Sequence, residues 1–155
     1  MSQEFVDQKL IVVGGSSGMG KAAARRVLQG GGSAVLVGKR TEKLQAAVDE
    51  LSAYGKVMGE PADISNREAR EGLIAKINQE HCDTTLLVNA AGAFLPKPFL
   101  EHTESDYDLY LDLNKATFFI TQAIAQNIVS SGYKGAIVNV GSMWAKQAVQ
   151  ATPSS

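Results

Sequence analysis

Residues 10–20 read Leu-Ile-Val-Val-Gly-Gly-Ser-Ser-Gly-Met-Gly, and no other stretch restricts the fold so tightly. Residues 10–13 are apolar and mostly β-branched, as expected of a strand covered on both faces. Four glycines follow within seven residues, and residues 21–28 then read as a helix. Met19, Ala23 and Val27 share one face of that helix at a spacing of four. A strand, a glycine turn and a helix N-terminus together form an anion site. Free N–H groups and the positive end of the helix dipole converge on the turn, and glycine lets a diphosphate approach the backbone. Gly14, Ser16, Ser17, Gly18, Met19 and Gly20 are therefore the candidate phosphate loop. The alternative is a glycine turn that serves packing alone.

The 155 residues are expected to form one domain, residues 1–155, with a sizeable core. A net charge of −1 offers no electrostatic case for nucleic acid or an anionic membrane. The one cysteine, Cys82, excludes an internal disulfide and suits a reducing compartment. With no evident basic neighbour it reads as a packed thiol rather than a nucleophile. Residues 1–8 are polar and acidic, unlike a signal peptide, and no apolar run approaches membrane-spanning length. A soluble cytoplasmic protein is the expectation.

The spacing of Gly14, Gly18 and Gly20 is Gly-x-x-x-Gly-x-Gly, not the Gly-x-Gly-x-x-Gly of ordinary dehydrogenases. It resembles the short-chain dehydrogenase/reductase family, with Val13 where the family usually has Thr. Residues 34–37 form a second apolar run, ending at Gly38-Lys39-Arg40. At this point of a dinucleotide fold an acidic side chain serves the ribose of NAD, whereas Arg accommodates the 2′-phosphate of NADP. Lys39 stands where NAD-preferring relatives carry Asp, and Arg40 matches the basic residue of NADP-preferring ones, so NADP(H) is expected. The alternative for Lys39 and Arg40 is a solvated basic pair at a strand end.

Leu44, Ala47, Val48 and Leu51 keep the pattern of an amphipathic helix closed by Gly55, and residues 56–59 read as a weak third strand. Asp63-Ile64-Ser65 follows. The resemblance implies that Asp63 bonds the adenine amino group and that Ile64 lies against the ring. Ser65 with Glu68 also fits a capping box for a helix whose buried stripe is Ala69, Leu73, Ile74 and Ile77. Neither His81 nor His102 has a second ligand candidate at useful sequence spacing, so no metal is assigned. Residues 85–88 form a fourth strand running into Asn89-Ala90-Ala91-Gly92, which resembles the family's Asn-Asn-Ala-Gly segment beside the cofactor. Asn89 has an amide that can tie neighbouring strands.

Thr103 with Asp106 marks the start of a helix expected from 104 to about 130. Leu109, Leu113, Ala116, Ile120 and Ile128 make one apolar stripe, expected to cover the sheet; Leu111, Phe118 and Ala125 make another. The resemblance places the matching helix in a dimer interface, implying a homo-oligomer; the alternative is cover from loops of the same chain. Residues 135–141 form a fifth strand ending at Ser142. By resemblance Ser142 hydrogen-bonds the substrate carbonyl, and Asn114 holds a water of the proton relay.

The fold implied is α/β, a Rossmann-type doubly wound parallel sheet with helices on both faces, holding the first five of the family's seven strands in the order 3-2-1-4-5. The fifth strand is then an exposed apolar edge. The activity implied is NADP(H)-dependent hydride transfer on a small carbonyl or alcohol substrate. The family's acid–base pair is a Tyr-x-x-x-Lys beyond Ser142, and none of Tyr54, Tyr107, Tyr110 and Tyr133 has Lys four residues on. The expectation is a fragment ending before that pair and inactive alone. A non-catalytic NADP(H)-binding module or redox sensor is the alternative. A methyltransferase on a similar sheet is disfavoured by Lys39 and Arg40, where it needs an acidic residue.

Overall fold

Short β-branched runs separated by helix-forming segments can bury both faces of each strand only by lying side by side, with the helices layered above and below. The computed structural model, which describes residues 3–142, has this arrangement. In chain order it contains β1 (Lys9–Val13), α1 (Gly18–Gln29), β2 (Ser33–Gly38), α2 (Thr41–Leu51), β3 (Val57–Pro61), α3 (Arg67–Glu80), β4 (Leu86–Asn89), α4 (Glu104–Ser131) and β5 (Ala136–Asn139). A short 3-10 turn, Phe99–Glu101, precedes α4. All strand pairings are parallel and the sheet order is β3-β2-β1-β4-β5, as the sequence led one to expect. Among the described residues no helix is long and apolar enough to cross a membrane.

Strand alternation divides the core in two. Ile11, Val13, Val35, Val37 and Leu87 meet Leu73 and Ile77 of α3 and Ala116, Ile120 and Ile124 of α4. Leu10, Val12, Ala34 and Leu36 meet Ala24, Val27 and Leu28 of α1 and Leu44, Ala47 and Leu51 of α2. Each Leu, Ile or Val buried in this way contributes about 1.5–3 kcal/mol relative to exposure. β1 lies at the centre of the sheet, so its C-terminal end and the glycine turn stand midway along the crest.

The structure revises several local expectations. Met19 is 67% exposed, so the buried face of α1 is not Met19, Ala23 and Val27 but Gly20, Ala24, Val27 and Leu28. The helix begins at Gly18, which turns Met19 outward beside the crevice rather than onto the sheet. Asn66, not Ser65, caps α3: its side chain accepts from the Ala69 amide at 2.9 Å, while the Ser65 hydroxyl donates to Asp63. Arg70 rather than Ala69 joins Leu73 and Ile77 on the buried face. The third strand is displaced toward Pro61, and α2 ends at Leu51 with Ser52 as its C-cap, short of Gly55.

The start of α4 forms as expected. The Thr103 hydroxyl accepts from the Asp106 amide, and Asp106 accepts from the Thr103 amide at 2.8 Å. Leu111 and Phe118 on its second stripe are exposed, and every residue of β5 is exposed. The segment 148–155, expected to lead toward the Tyr-x-x-x-Lys pair, lies outside the described residues.

Candidate functional site

A parallel sheet delivers the C-terminal ends of its strands to one crest, and ligands of such folds sit where the strand order reverses. Here the reversal lies between β1 and β4, and a cavity of about 370 Å³ opens there. Its walls are the β1–α1 turn, the end of β2, the segment after β3 and the segment after β4.

The β1–α1 turn is shaped by contact. The Gly14 and Gly15 amides both donate to the Val37 carbonyl, at 2.9 and 3.1 Å, folding the turn back over β2. A Cβ on Gly14 would stand 2.6 Å from the Ala91 amide nitrogen, and one on Gly20 would collide with the Gly14 carbonyl oxygen. Packing therefore demands glycine at both places. Gly18 differs: it has φ +55° and nothing within 4 Å of where a Cβ would be. Ser17 is the N-cap of α1, yet its side chain makes no capping bond, and the first turn holds no acidic residue. No side chain of that turn caps these amides, which leaves them open on the crevice side. Lys21 does not compete for the place, since its Nζ binds Glu50 on α2 at 2.7 Å.

Lys39 and Arg40 line the crevice at the end of β2, both exposed. Across from them Asp63 accepts from the Ser65 hydroxyl at 2.6 Å and the Ser65 amide at 3.1 Å. These bonds, the hydroxyl first, and the charge of Lys39 hold the Asp63 carboxyl below its ordinary range against the opposing effect of partial burial. Asp63 is thus an anion with acceptor capacity facing the cavity. Ile64 lines the same wall but is only 5% exposed, most of its surface being given to the core.

Ala90, Ala91 and Gly92 form the wall beyond β4, while Asn89 lies behind it. Asn89 is buried, and its Nδ2 donates to Thr121 of α4 at 3.0 Å and to Asn139 of β5 at 2.8 Å. Its amide ties three elements together, the role its chemistry suggested. Asn114 and Ser142 do not line the cavity. Asn114 is exposed on α4 next to Leu113, which does line it, and Ser142 follows β5 at the end of the described residues. Leu109 and Leu113 were expected only to cover the sheet; one turn apart near the start of α4, they also close the crevice. Their doubled role had no separate sequence signal.

The loop before α4 is fastened beside this crevice. The Leu95 amide donates to the Tyr110 hydroxyl at 3.1 Å, and Lys97 pairs with Asp106 at 2.6 Å. That ammonium, followed by the amide and hydroxyl of Thr103, holds the Asp106 carboxyl far below the usual carboxylate range. Away from the crevice, the fold brings Glu60 and Glu80 to His81, a grouping that sequence spacing had not offered.

Residues 8–154 match the family model described as short chain dehydrogenase. The subunit BbsD of (2S)-[(R)-hydroxy(phenyl)methyl]succinyl-CoA dehydrogenase from Thauera aromatica is 36% identical over 134 residues, which are 85% of this chain and 54% of that protein. The NADP-dependent 3-hydroxy acid dehydrogenase YdfG of Salmonella typhi is 33% identical over 135 residues, covering 86% of this chain and 53% of that one. A metagenomic short-chain oxidoreductase solved in complex with NADP superposes with a TM-score of 0.85 at 28% identity, over 94% of this chain and 67% of its own. The chain spans about half the length of the curated relatives it matches. With its parallel sheet, crest cavity and glycine turn, it belongs to the short-chain dehydrogenase family of oxidoreductases.

Proposed function

We propose that the crest cavity binds NADP(H) and that the protein to which this chain belongs transfers hydride between NADPH and a small carbonyl or alcohol. The uncapped N-terminus of α1, facing a cavity whose rim carries Lys39 and Arg40, carries this reading. The residues present fit a dinucleotide with an extra phosphate. The amides around Ser17 and Gly18 suit the diphosphate, and the Arg40 guanidinium suits the 2′-phosphate with Lys39 beside it. Asp63, kept ionised, accepts from the adenine amino group, and Ala90, Ala91 and Gly92 leave room along the opposite wall. The nicotinamide, when bound, supplies or accepts the hydride. Ser142 then orients the substrate oxygen by hydrogen bonding, and Asn114 holds a relay water. NADP-dependent YdfG and the NADP-bound metagenomic oxidoreductase support the coenzyme choice.

The second reading is a non-catalytic NADP(H)-binding module, in which the same crest cavity holds the coenzyme without turnover. We further propose a homo-oligomer, with a second copy covering the exposed Leu111 and Phe118 face of α4. Titration by nucleotide fluorescence tests the coenzyme assignment, with NADPH expected to bind roughly ten- to a hundredfold more tightly than NADH, the effect of about 1.5–3 kcal/mol from a charge-assisted bond. Equal affinity, or preference for NADH, refutes it. Oxidation of NADPH with a panel of aldehydes and ketones separates the enzyme from the module.

A further inference from the structure

At the end of α3 farthest from its capping Asn66, side chains distant in sequence converge. Glu60 reaches in from the edge strand β3, Glu80 is the last residue of α3, and His81 is its C-cap. One ligating atom from each can be chosen so that all lie within 4.8 Å of one another. The His81 side chain is only 3% exposed, and its Nε2 stands 3.6 Å from Glu60 Oε1. Neither ring nitrogen has a hydrogen-bond partner among the described residues. A buried imidazole with both nitrogens unused is costly, since buried polar groups are nearly always paired. An ion held between His81 and the carboxylates removes that cost.

We propose that Glu60, Glu80 and His81 form a binding site for a divalent transition metal, with Zn²⁺ the best fit. One imidazole and two carboxylates are a donor set for such metals, whereas Mg²⁺ prefers oxygen ligands alone in octahedral geometry. Tetrahedral Zn²⁺ with bonds of about 2.0–2.2 Å places its ligand atoms about 3.3–3.6 Å apart. The His81–Glu60 separation is already close to this, and the exposed Glu80 side chain is free to swing the remaining distance. A cavity of about 210 Å³ lined by Glu80 and His81 admits water to a fourth position.

Lys76 Nζ holds Glu60 Oε2 at 2.6 Å, leaving Oε1 for the metal and fixing the carboxylate's orientation. Lys9 is taken up by Asp83 at 2.6 Å, and Lys56 also lines the cavity beside Glu80 and His81. Bound metal would fasten edge strand β3 to the end of α3. Those two elements bracket the turn bearing Asp63 and Ile64, so the site acts as a clip on one wall of the crest cavity.

The test is calorimetric titration of the metal-stripped chain with Zn²⁺ and with Mg²⁺, together with the visible spectrum of the Co²⁺-loaded chain. The proposal expects one saturable equivalent of Zn²⁺ with a rise in melting temperature, no such response to Mg²⁺, and the intense visible bands of low-coordinate Co²⁺. Glu80→Gln should weaken Zn²⁺ binding by about tenfold or more, and His81→Gln should abolish it. Cys82→Ser, which removes the neighbouring thiol, exposed in the structure rather than packed as its sequence context suggested, should bind as the parent does. Because Glu80 is exposed, its variant decides the matter even if His81→Gln fails to fold. Absence of a Zn²⁺ equivalent, unchanged affinity in Glu80→Gln, or loss of binding in Cys82→Ser overturns the proposal. In the first case the 3.6 Å approach of His81 to Glu60 is a polar contact and nothing more.

Discussion

Arg40 and Gly20 act on the same cavity through opposite kinds of physics. Arg40 is exposed, and its contribution in the proposed binding mode is a charge-assisted contact that exists only with the phosphate present. Arg40→Ala is therefore expected to weaken NADPH binding about ten- to a hundredfold while leaving NADH binding and the melting temperature nearly unchanged. Fluorescence titration of both nucleotides checks this. Gly20 is the reverse case, because a Cβ there runs into the Gly14 carbonyl whether or not a ligand is present. Gly20→Ala should cost about 1–3 kcal/mol of stability by forcing the turn apart, measured by denaturant unfolding, and should weaken both nucleotides together. At Gly18, where a Cβ meets nothing, the penalty is conformational, from the left-handed backbone alone.

The start of α4 shows how an element is fixed by a few side chains and where pH will act on it. Asp106 holds the Thr103 amide and hydroxyl and the Lys97 ammonium, and these depress its pKa from 3.8. A carboxylate with a lowered folded-state pKa binds fewer protons folded than unfolded, so stability rises with pH across that interval. Its contribution is complete above about pH 4 and is lost as the pH falls below the ordinary Asp value. Asp106→Asn should flatten that acid limb in thermal melts from pH 2 upward, and Thr103→Ala should cost about 1 kcal/mol at neutral pH. This helix start was legible in the sequence because Thr and Asp three apart have few other uses. The β1, β2 and β4 strands were legible because their apolar runs are too short for helices. The cap of α3 was misread, since both Ser65 and Asn66 are capping residues and only the competing bond to Asp63 decides between them. The approach of Glu60 to His81 was invisible, because it depends on the parallel pairing of β3 beside β2.

At the scale of the molecule, the two cores are separate layers that share only the sheet. Ile120 is completely buried between α4 and the sheet, and Ile120→Ala should cost about 2–5 kcal/mol of stability, read by urea unfolding. Phe118, on the opposite side of the same helix, is 62% exposed. Phe118→Glu should leave the monomer's fold intact and lower the mass seen by sedimentation if a second copy covers that face; an unchanged mass argues against the proposed dimer. Order and direction of the strands could be expected from the family that the motifs resemble, since each motif stands at the end of a strand. The lining of the crevice by α4 could not, since Leu109 and Leu113 look the same whether they face a sheet or a cavity. The buried amide of Asn89 has one more implication. It links β4 to β5 through the Asn139 side chain, and among the described residues β5 contributes nothing to the wall of the crest cavity. Cutting that link, as in Asn89→Ala, loosens the strand that presents Ser142 without touching the groups around Ser17 and Arg40. In the proposed binding mode such a protein would go on holding NADP(H) while Ser142 is displaced from the substrate, so possession of a nucleotide and competence to use it would be separately breakable.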